Sequence, residues 1–146
     1  MFVLKKRLRN AAISHRLRAG YPGKCKNIHG HEYFFEVEVG GTELNQYGML
    51  IDFADIKEVC DDWIQENWDH GVIVGREDTI FYHFLDSEGS KLWVAEWEGN
   101  TTSENMSKFL AELFFSKLIE KNVSLHYLTM RVWETDTSVA QYTVYA

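Results

Sequence analysis

The chemistry in this chain gathers in seven residues, Cys25-Lys26-Asn27-Ile28-His29-Gly30-His31. Directly after them, Glu32-Tyr33-Phe34-Phe35-Glu36-Val37-Glu38-Val39 alternates and predicts a strand. Side chains two apart in a strand share a face, so His29 and His31 point the same way. His15 closes the preceding segment. If that segment is a strand pairing antiparallel with the next, His15 lies beside the other two. Three imidazoles converging on one point, with no fourth ligand in view, suit zinc in its catalytic mode, where the open position takes water or substrate. Cys25 is close by and need not be a ligand. Taken alone, His-Gly-His is equally a turn with incidental histidines; His15 and Cys25 tip the reading toward a metal site.

The elements that must position these residues follow from periodicity and punctuation. Residues 2 to about 14 predict a strand that delivers His15. Arg18 to Asn27 contains Gly20, Pro22 and Gly23 and predicts a loop carrying Cys25. A second strand over about 31–39 puts His29, His31, Tyr33, Phe35, Val37 and Val39 on one face and Glu32, Glu36 and Glu38 on the other, with Gly40-Gly41 ending it. Asp52 is a good helix N-cap, and Phe53, Ile56, Val59, Cys60, Trp63 and Ile64 keep helical spacing to about 67. Cys60 lies on that stripe and reads as core packing. Asp69-His70 follows; a carboxylate orients a neighbouring imidazole only if the two side chains meet, and the plainer reading is a helix C-cap.

Thr79 to Leu85 predicts a short helix, with His83 on its surface or in its packing, and Lys91 to Glu98 predicts a strand. A helix opens at Thr101-Thr102-Ser103-Glu104, with either threonine as cap, and runs to about 120 behind Met106, Phe109, Leu110, Leu113, Phe114 and Leu118. A final strand pair covers about 126–135 and 139–145. Leu128, Met130, Val132 and Glu134 share a face. A carboxylate at the end of an apolar row is costly unless paired. Either a ligand with N–H donors pairs Glu134, or it lies past the buried zone in water, and both readings stand.

With 146 residues, 45% of them hydrophobic, and one proline, the chain predicts one ordered domain over 1–146. Two cysteines in unlike contexts argue against a disulfide framework and fit a reducing cytoplasm. No apolar run approaches bilayer length and the N-terminus lacks a signal-peptide pattern, so no membrane partner is expected. The net charge of -7, from 15 basic and 22 acidic residues, disfavours nucleic acid. Arg16, Arg18, Lys24 and Lys26 flank the histidines; they could meet a small anionic substrate, although a solvated loop is the plainer reading.

Taken in order, His15-Arg16-Leu17, the Cys25–His31 stretch, Gly48-Met49-Leu50-Ile51-Asp52-Phe53, Asp69-His70, Thr102-Ser103-Glu104-Asn105 and Glu134-Thr135 resemble the motifs of the 6-pyruvoyltetrahydropterin and 6-carboxytetrahydropterin synthase family. Each motif is weak alone; six in the same order, over most of the chain, are specific. The resemblance implies that His15, His29 and His31 bind zinc, that Cys25, Asp69 and His70 are catalytic, and that Glu134 anchors a pterin. Far along the chain from the histidines, Glu134 is expected to stand apart from the metal. The cysteine four positions before His29 looks like the bacterial 6-carboxytetrahydropterin synthases of queuosine and other 7-deazaguanine synthesis. Animal pyruvoyl enzymes are similar but have a longer gap.

The implied activity is that of a cytoplasmic lyase, converting 7,8-dihydroneopterin triphosphate to 6-carboxytetrahydropterin with release of triphosphate and acetaldehyde. The alternatives are a pyruvoyl synthase that stops after triphosphate elimination and internal redox transfer, and a catalytically silent pterin-binding protein. The implied fold is an α+β tunnelling fold: a four-stranded antiparallel sheet with two helices on one face, assembled as trimers that stack into a homohexamer. Three departures are visible. Thr101 stands where the family usually has proline, which implies a change only in how the helix begins. The segment between His70 and Thr101 is longer than in compact members. Ala11-Ala12-Ile13-Ser14 lacks the aromatic residue common before the first histidine.

Overall fold

The alternation around His29 and His31 forms the longest strand of the molecule, and the other strands are arranged along its two edges. The structure is a computed structural model that describes residues 1–18, 20–121 and 124–146; of the loop expected over 18–27, residue 19 lies outside the described residues. The central strand is β3, His29–Gly41. Gly40 and Gly41 belong to it rather than ending it. A Cβ on Gly40 would sit 2.1 Å from the ring of Tyr127, and one on Gly41 2.6 Å from Leu50, so both glycines serve close approach.

The first expected strand is two. β1, Phe2–Arg7, pairs with residues 36–41 of β3, and β2, Ala11–His15, pairs with residues 29–33 of the same strand, both antiparallel. Between them the ladder is interrupted at Arg9 and Asn10, where helix side chains take over its hydrogen bonds. Asp61 accepts from Arg9 N and Nε, each at 3.0 Å, and Gln65 Nε2 donates to Arg9 O at 3.3 Å and Asn10 O at 2.9 Å. No glycine or proline is needed for such a break, which is why periodicity alone misses it.

On the far edge of β3 lies β6, Tyr127–Thr135, and beyond it β7, Ser138–Tyr145, both antiparallel. On the other side β2 pairs parallel with β4, Gly71–Val74, which pairs parallel with β5, Leu92–Val94. The sheet is therefore seven-stranded and mixed, in place of the four antiparallel strands expected. The difference comes from β4 and β5. β4 reads Gly-Val-Ile-Val, an apolar run without alternation, as suits a strand covered on both faces. The strand expected over 91–98 shortens to β5.

The expected pair of helices is also enlarged. The helix over 53–67 is α1, Phe53–Ile56, a π-helical stretch, Lys57–Asp61, and α2, Asp62–Asn67. Asp52 caps it, accepting from Ala54 N at 2.8 Å. The wider turn accommodates one extra residue, and Asp61 within it is only 4% exposed. A third helix, α3, Thr79–Ser87, lies in the longer segment and packs a small core of Val74, Phe81 and Leu85. The last helix, α4, Ser103–Glu120, is capped by Thr102, whose Oγ1 accepts from Asn105 N.

Tyr33, Phe35, Val37 and Val39 of β3 and Leu128, Met130 and Val132 of β6 are buried in one core with Ile56, Cys60 and Ile64 of the first helix and Met106, Leu110, Phe114 and Leu118 of α4. Each large side chain there contributes about 1.5–3 kcal/mol. Cys60 is a packing residue, and burial pushes its thiol up. Off the apolar rows Arg131 bridges Glu36 at 2.9 Å and Glu38 at 2.8 Å. No described helix is long and apolar enough to cross a membrane.

One ion pair ties the longer segment to the strand that carries His15. Arg16 Nε and Nη2 donate to the two oxygens of Asp78 at 2.7 and 2.8 Å, and the guanidinium lies 4.6 Å over the Phe81 ring. Arg16 is therefore committed to structure and is not a free loop cation. Arg16 holds the Asp78 carboxyl below its ordinary 3.8. Replacing Asp78 by Asn should cost about 2 kcal/mol near neutral pH, less than a fully buried broken pair, because Arg16 keeps partial access to water. A depressed carboxylate stabilises above its unfolded pKa and loses that contribution as pH falls through its folded value. Urea unfolding of both proteins, stepped down in pH, should show the difference shrinking in acid; a constant difference would mean the charge is irrelevant.

Candidate metal centre

The register of β2 on β3 sets His15 directly opposite His29, with Ile13 opposite His31. Alternation then turns His15, His29 and His31 to one face. Their ring centroids lie 4.7 Å apart for His15 and His29, 5.0 Å for His29 and His31, and 5.7 Å for His15 and His31. The antiparallel neighbour expected for His15 is thus present.

A fourth group joins them from the opposite edge. β6 follows β3 in register up to Phe34 opposite Trp133, and an irregularity follows between Trp133 and Thr135. A bulge re-aims the residue it contains, and Glu134 Oε1 lies 2.6 Å from His31 Nε2. Ligand atoms of His15, His29, His31 and Glu134 all fall within 4.8 Å of one another. The expectation that Glu134 stands apart from the histidines is corrected here. Sequence distance carries no information about neighbours across a sheet, and the bulge has no signature in the sequence.

The hydrogen bonds fix which ring nitrogens are available. His15 Nδ1 is 2.8 Å from Thr101 O and His29 Nδ1 is 2.7 Å from Asn27 O. A carbonyl only accepts, so both Nδ1 atoms carry the proton and both Nε2 atoms present a lone pair. Nε2 of His29 and of His31 are buried without a hydrogen-bond partner, although the Glu134 oxygen is close to the latter. The contact of His31 Nε2 with Glu134 is an ion pair when that ring is protonated; when it is not, two acceptor atoms face each other. A cation satisfies both, so this donor set fits a divalent metal.

Tyr33 is fully buried against the rings, with its hydroxyl 3.4 Å from His15 Nε2. Burial, then the charges of Glu134 and Cys25, hold its phenol well above the ordinary range, so it stays protonated. Sequence reasoning placed Tyr33 on this face and gave its hydroxyl no role. Thr101, fully buried, was read only as a residue of the helix start and given no part in the site.

Cys25 sits half-buried in a single 3-10 turn, Lys24–Lys26, whose Cys25 carbonyl accepts from Leu17 N at 2.8 Å. It is outside the four-residue cluster. Asp69 and His70 do meet: His70 Nδ1 lies 2.8 Å from Asp69 Oδ2, while Asp69 Oδ1 accepts from Ala12 N. His70 adopts a left-handed backbone with φ of 58° and its side chain is 82% exposed. It lines a cleft with Ala12, Ser14, Gly30 and Glu32, and with Ile13 and His31 of the opposite parity. Within one chain the pair is not among the groups that the cluster brings together.

Burial lowers His15 from 6.5 to about 4, against the bond from Thr101 that raises it. In metal-free protein the unfolded chain takes a proton between these values that the native ring refuses. The stability that this buried neutral ring supplies is complete above about pH 6.5 and lost as pH falls to about 4, a loss of about 3 kcal/mol at most. Denaturant unfolding of chelator-treated protein should show this slope, flattened in His15→Asn. Equal slopes in both proteins would mean that His15 is not held neutral.

Comparison with known proteins identifies the family and the fold. A family model described as 6-pyruvoyl tetrahydropterin synthase matches residues 5–144. The 6-carboxy-5,6,7,8-tetrahydropterin synthase of Rickettsia felis is 34% identical over 105 residues, covering 71% of this chain and 74% of that protein. The enzyme of the same name from Haemophilus influenzae is 32% identical over 130 residues, covering 84% and 86%. Among solved structures, the 6-pyruvoyl tetrahydropterin synthase of Plasmodium vivax superposes with a TM-score of 0.75 at 13% identity over the whole of both chains. An uncharacterized protein from Wolinella succinogenes gives 0.75 at 22% identity, over 99% of this chain and 97% of that one. With its fold, its motifs and nearly its whole length in agreement, the chain belongs to the 6-pyruvoyl tetrahydropterin synthase family of enzymes.

Proposed function

We propose that the protein is a zinc-dependent 6-carboxy-5,6,7,8-tetrahydropterin synthase, acting on 7,8-dihydroneopterin triphosphate. The observation that carries this reading is the cluster of three imidazoles beside Glu134, two of them pinned at Nδ1 with Nε2 free. His15, His29 and His31 would hold the ion. Zinc supplies, when bound, Lewis-acid polarisation of the oxygens on the substrate side chain, which acidifies the adjoining C–H.

Glu134 accepts from the ring N–H and amino donors of the pterin in a two-pronged, charge-assisted fashion. Because its carboxylate also reaches the histidines, a pterin anchored there brings its side chain to them. Arg16 is occupied by Asp78, which leaves Arg18, Lys24 and Lys26 to meet the triphosphate. Cys25 takes or relays the proton of the acidified carbon, and His70, oriented by Asp69, is the complementary acid or base. Loss of triphosphate, addition of one water and release of the two-carbon fragment as acetaldehyde then leave the 6-carboxy product, the water supplying the second carboxylate oxygen, in a cytoplasmic 7-deazaguanine route.

His70 serves a cluster on a neighbouring subunit, a reading supported by its separation from the cluster of its own chain and its 82% exposed side chain. β1 and β7 each have one unpaired edge and expose Phe2, Val3, Val139, Tyr142 and Tyr145. Closing these edges between copies, as trimers stacked into a homohexamer, removes the hazard of open strand edges.

The decisive assay incubates zinc-loaded protein with dihydroneopterin triphosphate and identifies the products. Acetaldehyde with a 6-carboxypterin is expected; a pyruvoyl product without acetaldehyde assigns the other synthase, and substrate bound but unchanged assigns a silent binding protein. The shared site has its own test. Cys25→Ala and His70→Ala should each abolish turnover while keeping zinc. Co-assembled from a mixture, they should regain about a quarter of the activity, because a fraction of sites then receives both native groups. No recovery in mixed oligomers would return both residues to one chain.

A further inference from the structure

The turn before α4 is laid against the end of β2 by a set of bonds that no helix start requires. Asn100 Oδ1 accepts from Arg18 N at 2.8 Å, and Asn100 Nδ2 donates to Arg18 O at 3.3 Å. The Asn100 carbonyl accepts from Trp97 Nε1 at 3.0 Å and from Asn105 Nδ2 at 2.9 Å. The capping duty falls to Thr102. Thr101 is therefore released from the helix and held, fully buried, beside His15.

Two of its atoms meet one ring nitrogen. The carbonyl of Thr101 lies 2.8 Å and its Oγ1 3.0 Å from His15 Nδ1. The carbonyl cannot donate, so Nδ1 bears the hydrogen; Oγ1 must then accept from the same N–H in a three-centre bond. We propose that Thr101 is a positioning residue of the metal centre: its carbonyl and its hydroxyl together grip the Nδ1–H of His15 and so deliver the Nε2 of that ring to the ion. The inference rests on the reading of His15 as a ligand and adds the residue that orients it. Two acceptors restrict ring rotation more than one, and they add electron density to the imidazole, which strengthens Nε2 as a donor. The change at residue 101 thus reaches beyond how the helix begins.

The test measures zinc affinity by chelator competition, with zinc alone as probe, for the wild type, Thr101→Val and Thr101→Ser. Valine keeps the shape and the carbonyl but removes the hydroxyl; serine keeps the hydroxyl. Thr101→Val should bind zinc about tenfold more weakly, the lower end of the range for a lost partner of a ligand, and Thr101→Ser should stay near wild type. Equal affinity in wild type and Thr101→Val overturns the proposal, as does equal weakening in both variants, which would assign the effect to packing at residue 101 rather than to the hydroxyl. A wild type that takes up no zinc, though folded, overturns the ligand reading itself. If Thr101→Val does not fold, nitrogen NMR of metal-free wild type decides: His15 protonated on Nδ1 supports the grip, and protonated on Nε2 refutes it.

Discussion

The candidate metal centre depends on one backbone register, His15 opposite His29 across the β2–β3 ladder. Strand side chains alternate with a period of two, so a slip of one residue would send His15 to the far face and break the cluster. The register is held at both ends. Asp61 and Gln65 grip the chain at Arg9 and Asn10, just before β2, and the Arg16–Asp78 pair grips it just after His15. Between these anchors Ala11, Ile13 and His15 are buried, so sliding would expose apolar surface as well as misplace a ligand.

The surroundings set the chemistry of that cluster. The faces of β3 and β6 bring Tyr33, Val132 and their neighbours up to the histidines, an environment of low dielectric in which charge is costly unless matched. His15 answers by staying neutral, which is the form that can ligate. Glu134 is the one carboxylate in the cluster, and it reaches the cluster through the only irregular step in the β6–β7 ladder among the described residues. An apolar wall, a neutral His15, two further imidazoles and one carboxylate together make a cluster that could hold a metal ion.

Much of this was legible in the residues. Alternation through Tyr33, Phe35, Val37 and Val39 gave the buried face of β3, and the two-residue spacing gave the common direction of His29 and His31. The helical stripe from Met106 to Leu118 and the parity of Leu128, Met130, Val132 and Glu134 were equally clear. What stayed hidden had no local signature. The break between β1 and β2 is made by Asp61 and Gln65, more than fifty residues away. The short apolar run Gly71–Val74 was too brief to choose between strand and loop until its partners β2 and β5 were known. Glu134 and Thr101 joined the histidines through a bulge and a tightly bonded turn, and tertiary contacts such as these leave no period to read. Asp69 and His70 illustrate the reverse case, where neighbours in sequence do meet, but outside the cluster.

The interrupted edge of β3 has a bearing on how the molecule breathes. Because β1 and β2 zip onto separate stretches of one strand, the edge behaves as two short fasteners with a stop between them. In a chain on its own, before its edges are closed by other copies, the β1 fastener, facing residues 36–41, carries exposed Phe2 and Val3 and should open at low free energy. The β2 fastener is clasped from both sides and should open only with the fold as a whole. Fraying at the terminus then stops at Leu8, and amide hydrogens of β1 exchange with solvent while those next to the histidines stay protected. The chain keeps a mobile margin without lending that mobility to its metal centre.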